Sequence, residues 1–261
     1  MITMSETVSI VIPALNEEKN IKECLQNLLN QIEKPLEVIV VDNGSVDNTN
    51  KIVKNLIKKF RLSGIDLKIF CHPIGNQSNA RSFGIKKSKG TIIASLDAEA
   101  LPNNDWVKRI LDHFKDKEIV GIGGISSFRN KGVILNFFYI ISFYLRFTIN
   151  TYCLGGGNSA FRKSTFISVG GYKGLNKLRK EKNIKYAKDD FFLSKKLEEE
   201  GKVKFCPDMK VNLLYRIRDK NDKKYKNKYT IEDVLKRIYL EIYYDKQINK
   251  YFKEKNKNKI K

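Results

Sequence analysis

The segment TIIASLDAEALP, residues 91–102, ends a run of apolar and small residues in two carboxylates, Asp97 and Glu99, one residue apart. Acids at i and i+2, where a strand runs out into a loop, can both reach one hard cation. Mg²⁺ or Mn²⁺ prefers oxygen ligands, and one or two carboxylates plus substrate phosphates form a usual shell. Solvated acids closing a strand end are the alternative reading. A second acidic pair, Asp189 and Asp190, opens KDDFFLSKKLEEEG. By itself it suits a helix N-terminus, whose dipole favours negative charge. In DNGSVDNT, Asp42 leaves a strand, Gly44 permits a tight turn and Asp47 stands where a helix N-cap belongs. An acid at such a strand end can accept hydrogen bonds from a base or a ribose. No G-x-G-x-x-G follows the first strand, which disfavours a nicotinamide site. The glycines of LGGGNSAFRKS, residues 154–164, allow a backbone to approach a ligand, but the segment lacks the GK[ST] of a P-loop. Trp106 reads as a helix core position, with stacking on an acceptor sugar as the alternative. His72 and His113 stand alone and receive no catalytic role.

The elements that must hold these residues are legible from periodicity. VSIVIP (8–13), LEVIVVD (36–42), LKIF (67–70) and TIIASLD (91–97) are β-branched runs of near-continuous apolar character, as in strands covered on both faces. Ile21, Leu25, Leu28 and Ile32 recur at helical spacing between the first two, and Ile52, Leu56 and Phe60 between the next two. Strand, helix, strand, helix predicts a doubly wound α/β sheet, and ligands of such sheets bind beyond the carboxyl ends of the strands. The loops PALNEE, DNGSVDNT and DAEALP therefore should converge. Further on, KVKFCP (202–207) reads as a strand and IEDVLKRIYLEIYY (231–244) as a helix, while KEKNKNKIK at the end is expected to be disordered.

The 261 residues carry a net charge of +21, unevenly spread. From Arg216 onward there are 16 Lys and Arg against 7 Asp and Glu. Such an excess points to anionic partners: nucleotide phosphates, nucleic acid or an anionic membrane surface, with a merely solubilising surface as the alternative. Residues 132–145 hold no charge and are rich in Phe, Tyr and Ile. That is too short to span a bilayer, which takes about 20 residues, and fits either a buried core helix or a membrane interface. Four scattered cysteines lack the spacing of a zinc or redox pair, so reduced thiols and an intracellular location are expected. MITMSET runs straight into a strand, and no signal peptide is expected.

VSIVIPALNEEKNI, VIVVDNGSVDNT, GNQSNARSFGIKKSKG, SLDAEALP, GGGNSAFRKSTFISVGGY and DDFFLSKKL occur in the order typical of family 2 glycosyltransferases. Over residues 7 to 210 the chain resembles these inverting enzymes. The resemblance implies the GT-A fold: a Rossmann-like, mostly parallel sheet flanked by helices, in one α/β domain over residues 1–215. A basic, partly helical extension follows over 216–261.

The resemblance also implies roles. Pro13, Leu15 and Glu17 match the loop lining the nucleotide's base and ribose, and Asp42 matches the acid that holds the base. Arg81 matches a basic residue near the diphosphate. Asp97 and Glu99 match the D-x-D element that carries the metal, with Glu in place of the last Asp. Gly156, Gly157 and Asn158 match positions beside the donor sugar or acceptor. Asp190 matches the catalytic base, with Asp189 where Glu is commoner. The implied activity is a metal-dependent (Mg²⁺ or Mn²⁺) inverting hexosyl transfer from a nucleoside-diphosphate sugar, with UDP or GDP as the nucleotide. The acceptor is a hydroxyl of a glycan or a lipid-linked, membrane-associated one, and a polyprenyl phosphate is the nearby variant. Cytoplasmic placement, peripheral on the cytoplasmic face of the membrane, is the matching expectation. The contrasting class is a non-catalytic protein binding nucleic acid or sugar. Nucleic acid is not the expected partner, because acids at the strand ends would repel its phosphates without a metal.

Overall fold

The computed structural model describes residues 5–73, 76–129, 133–148, 154–184, 189–214 and 231–259. Four parallel strands form one half of its eight-stranded sheet: β1 (Val8–Ala14), β2 (Glu37–Asp42), β3 (Asp66–Cys71) and β4 (Ile92–Leu96). Helices α1 (Ile21–Leu29), α2 (Thr49–Leu62) and α3 (Gln77–Lys87) connect them. The other half mixes directions. It contains β5 (Ala100–Pro102), β6 (Ile119–Phe128), β7 (Asn158–Arg162) and β8 (Lys202–Leu213). The order across the sheet is β3-β2-β1-β4-β7-β6-β8-β5. The antiparallel pairing of β7 with β4, Asn158 opposite Leu96, brings the glycine segment to the acidic strand end.

Alternation along the strands divides the core. Ile10, Ile12, Val38 and Val40 point into one apolar cluster with Leu25, Phe60 and Trp106, from α1, α2 and α4 (Trp106–His113). Val11, Ile93 and Phe161 point to the opposite face. There they meet Ile85 of α3, Phe166 of α6 (Lys163–Ser168), and Leu193 and Leu197 of α8 (Asp189–Leu197). Burial on both faces explains why β1, β2 and β4 read as unbroken apolar runs. Sheet and helices thus form a single α/β body of the expected class.

Three expectations change. KVKFCP is only the start of β8, which continues to Leu213 by pairing with both β6 and β5. The helix foreseen over 231–244 is α9, Ile231–Lys259, and it takes in most of the stretch expected to be disordered. Its apolar side explains this: Tyr244, Ile248 and Phe252 pack against Leu175 and Leu178 of α7 (Leu175–Glu181) and against Phe191 and Phe192 of α8. Docking of that face supplies the stability that the lysine-rich composition alone withholds. The uncharged segment forms α5, Val133–Thr148, with Phe143 buried against Ile125 and Phe205. The Phe138 and Tyr139 side chains, residues 215–230 of the tail and Cys153 lie outside the described residues.

Candidate active site

The carboxyl ends of β1 and β2 are laced together. Asp42 lies opposite Ala14 in the β1–β2 register, and Asn43 N donates to Ala14 O at 2.8 Å. Asn16 Oδ1 accepts from Val46 N (2.9 Å), and Thr49 Oγ1 accepts from Glu17 N (2.8 Å). Asp47 ties in its own helix and the facing loop. Its Oδ1 accepts from Thr49 N at 3.0 Å and its Oδ2 from Glu18 N at 3.0 Å. Among the residues matched to base and ribose, Pro13, Glu17 and Asp42 are buried while Leu15 is exposed. Asp42 Oδ1 accepts from Ser45 N at 2.8 Å, which holds the turn that Gly44 permits at φ +94°.

Asp97 and Glu99 sit in the link between β4 and β5. The buried Cys24 of α1 lies against this link, its Sγ donating to Asp97 O at 3.8 Å. Burial, with these two charges added, pushes the Cys24 thiol far above its ordinary range. Asp97 Oδ1 accepts from Arg81 Nη2 at 2.7 Å and from Gln77 Nε2 at 3.0 Å, two α3 residues one turn apart. The same arginine donates through Nη1 to Asp189 Oδ2 at 3.1 Å, and Ser78 Oγ donates to that oxygen at 3.0 Å. Arg81 is 3% exposed. Burial alone would lower its pKa, but Asp97 and Asp189 outweigh burial and keep the guanidinium charged.

The glycine segment closes over this cluster. A Cβ on Gly156 would lie 3.1 Å from the Arg81 guanidinium nitrogens, and one on Gly157 would collide with Asp97 Oδ2. Ser95 Oγ donates to Gly156 O at 2.7 Å, while Gly156 N donates to Asp190 Oδ2 at 3.2 Å. Asp190 Oδ1 accepts from Phe191 N at 2.8 Å. Asp190 is half-buried and Asp189 buried.

The structure therefore brings Arg81, Asp97, Gly156, Gly157, Asp189 and Asp190 into one contiguous network, with Glu99 two residues along the chain from Asp97. Asn158 stands apart. Its Oδ1 accepts from Trp106 Nε1 at 2.8 Å, and its Nδ2 donates to Ile125 O and Met209 O at 2.9 Å each. That amide is 1% exposed and engaged inside the core. Trp106 is fully buried, as its helix position predicts. Sequence reasoning missed Gln77, Ser78 and Ser95, although the spacing of Gln77, Ser78 and Arg81 on one helix N-terminus was a usable signal. It also left His113 unassigned. Its Nε2 lies 3.0 Å from both Asp208 carboxylate oxygens, and with Cys206 these are the described residues close enough together to hold a metal as a trio.

Residues 9–170 match the sequence profile described as Glycosyl transferase family 2. Among curated relatives, the dolichyl N-acetyl-alpha-D-glucosaminyl phosphate 3-beta-D-2,3-diacetamido-2,3-dideoxy-beta-D-glucuronosyltransferase of Methanococcus voltae is 33% identical over 125 residues, 45% of this chain and 38% of that protein. Glycosyltransferase AglE of Haloferax volcanii is 33% identical over 119 residues, with the same coverage of each. The chain thus spans about two fifths of the length of these relatives. Of solved structures, the mannosyltransferase PcManGT from Pyrobaculum calidifontis in complex with GDP-Man and Mn2+ superposes with a TM-score of 0.64 at 18% identity, over 92% of this chain and 70% of that one. S. aureus TarS 1-349 in complex with UDP-GlcNAc gives 0.57 at 20%, over 90% and 66%. The fold is that of GT-A glycosyltransferases, and the chain belongs to glycosyl transferase family 2.

Proposed function

We propose that this chain moves a sugar from a nucleoside-diphosphate sugar to an acceptor with inversion at the anomeric carbon, using a divalent cation. The observation that carries this reading is the network in which Arg81 joins Asp97 to Asp189 beneath Gly156 and Gly157. The donor set fits a hard cation. Asp97 and Glu99 supply carboxylate oxygens one residue apart, and the glycine at 157 keeps space beside Asp97 Oδ2 that any side chain would fill. Asp97 and Glu99 would hold the metal. Once bound, it supplies positive charge to the leaving diphosphate.

The remaining chemistry belongs to the chain's own residues. Arg81 and Gln77 fix the Asp97 carboxylate from one side, so its other oxygen keeps one orientation. Asp190 is the base. Its carboxylate takes the acceptor hydroxyl's proton as the acceptor oxygen bonds to the anomeric carbon and the bond to phosphate breaks. Asp189 is the strut, already holding Arg81 and Ser78. Pro13, Leu15, Glu17 and Asp42 take the base and ribose. Asn158 acts from behind, by fixing the start of β7, directly after the glycines.

The neighbours' GDP-Man, UDP-GlcNAc and Mn2+ support UDP or GDP as the nucleotide and Mn²⁺ or Mg²⁺ as the metal. The dolichyl phosphate in the Methanococcus voltae relative's name supports a lipid-linked acceptor, and with it a peripheral place on the cytoplasmic face of an anionic membrane. Residues 1–215 carry the transfer and 216–261 form an extension to it. Melting the protein with UDP, GDP, dTDP and CDP, each with and without Mn²⁺ or Mg²⁺, tests the reading. A nucleotide at a hundred times its Kd adds about 2.7 kcal/mol. One nucleotide raising the Tm by several degrees only with metal is expected. No shift with any nucleotide and either metal would sink the proposal.

A further inference from the structure

Two helices present faces that the described residues leave partly exposed. On α5, Phe137, Ile141, Tyr144 and Leu145 are 42–59% exposed, and their spacing puts them in one helical stripe. On α9 the exposed stripe runs Tyr239, Tyr243, Lys246, Lys250 and Lys253, steps of four, three, four and three residues. The opposite side of α9 is the buried Tyr244, Ile248 and Phe252. α5 packs against α9, so the two exposed stripes belong to helices in contact. Among the described residues no helix is long and apolar enough to cross a membrane. An aliphatic and aromatic stripe beside a tyrosine stripe that continues into lysines matches a bilayer interface with anionic headgroups: apolar rings at the acyl boundary, ammonium groups among the phosphates.

We infer that the α5–α9 surface docks on an anionic lipid bilayer. This names the surface implied by the lipid-linked acceptor and rests on that reading for its purpose, though its test needs no catalysis. Each helix is also linked to the candidate active site, α5 along the chain and α9 by packing. α5 is the last helix before the glycine segment that closes over Asp97. α9 packs on the helix that begins at Asp189 and Asp190, with the Phe192 and Phe252 rings 5.6 Å apart. Docking there would hold the chain at the surface that carries a lipid-borne acceptor.

The test is co-sedimentation of the full chain with phosphatidylcholine vesicles and with vesicles of equal parts phosphatidylcholine and phosphatidylglycerol. Two variants accompany it: Ile141→Ser with Leu145→Ser, and Lys246→Gln with Lys250→Gln and Lys253→Gln, all at exposed positions. The wild type is expected to sediment with the mixed vesicles and not with phosphatidylcholine alone. Loss of three interfacial lysines should weaken partitioning about a hundredfold, and the serine variant should weaken it as well. Wild-type protein that stays in the supernatant overturns the inference, as does vesicle binding that neither variant weakens. Sedimentation equilibrium showing a dimer that both variants dissolve would assign the surface to a second copy instead. The nucleotide melting shift, measured on the same samples, separates the two readings. A shift without vesicle binding removes the docking surface alone, whereas vesicle binding without a shift removes the transferase site alone.

Discussion

Gly157 backs onto Asp97 so closely that a Cβ on the glycine would collide with Asp97 Oδ2. An alanine there must push away the carboxylate whose other oxygen Arg81 and Gln77 hold. Gly157→Ala is expected to lower transfer activity about a hundredfold or more, because displacements of the order of 1 Å at a reacting centre have that effect. The metal-dependent nucleotide melting shift should weaken in parallel. Metal titration followed by that shift checks it, and unchanged metal affinity would contradict the placement of the cation beside Asp97.

The two acids of α8 should separate on mutation. Asp189→Asn weakens the hold on Arg81, whose guanidinium is buried, so a loss of about 2–3 kcal/mol in urea unfolding is expected. Asp190→Asn should leave stability near wild type and remove the base, lowering kcat about a hundredfold or more for a hydroxyl acceptor. A polyprenyl phosphate is already ionised, so the same variant assayed with that acceptor should lose far less.

Asn158 offers a check on reasoning by family resemblance. Its amide serves Trp106, Ile125 and Met209, so Asn158→Ala strands one indole N–H and two carbonyls in the core. A loss of about 2–4 kcal/mol in denaturant unfolding is expected. Loss of donor affinity at unchanged stability would instead return Asn158 to the sugar.

At the opposite edge of the molecule, Glu6 links Lys117, Thr91 and Arg162, each at 2.7 Å. Burial alone would raise its carboxyl, but these partners outweigh burial and hold the pKa down to about 2, below its ordinary 4.5. A group with a depressed folded-state pKa adds stability above its unfolded value, and that stability is lost as the pH falls through the folded one. Glu6→Gln should therefore cost about 1–2 kcal/mol at neutral pH and little by pH 2. Parallel melting curves between pH 7 and 2 test this.

The first half of the fold was readable because β1, β2 and β4 are covered on both faces and write their burial into uninterrupted apolar runs. Asp97, Asp42 and the glycines were readable because they interrupt that pattern at strand ends, where the topology gathers ligands. The long reach of β8 was not readable, since over Pro207 to Leu213 only Met209 and Val211 are buried and the pairing is owed to β5 and β6, distant in the chain. The ordering of α9 was equally hidden: a lysine-rich sequence reads as solvated until the partner that buries Tyr244, Ile248 and Phe252 is known. Arg81 was found by resemblance as a group near phosphate. That it spans two carboxylates is a tertiary fact, because Asp189 lies 108 residues away.

That separation has a consequence for how the protein comes into being. Strands β1 to β4 and their helices use neighbouring chain and can pair as soon as they leave the ribosome, since short loops close at little entropic cost. Arg81 then waits, inside a nearly finished half-sheet, for a carboxylate that has yet to be synthesised. The interval is when the nascent protein is most exposed to misassembly, with a guanidinium in place and only one of its two counter-charges present. Translation through α8 supplies the second carboxylate and ends that interval, while β8 and α9, made later still, complete the sheet and its helical cover.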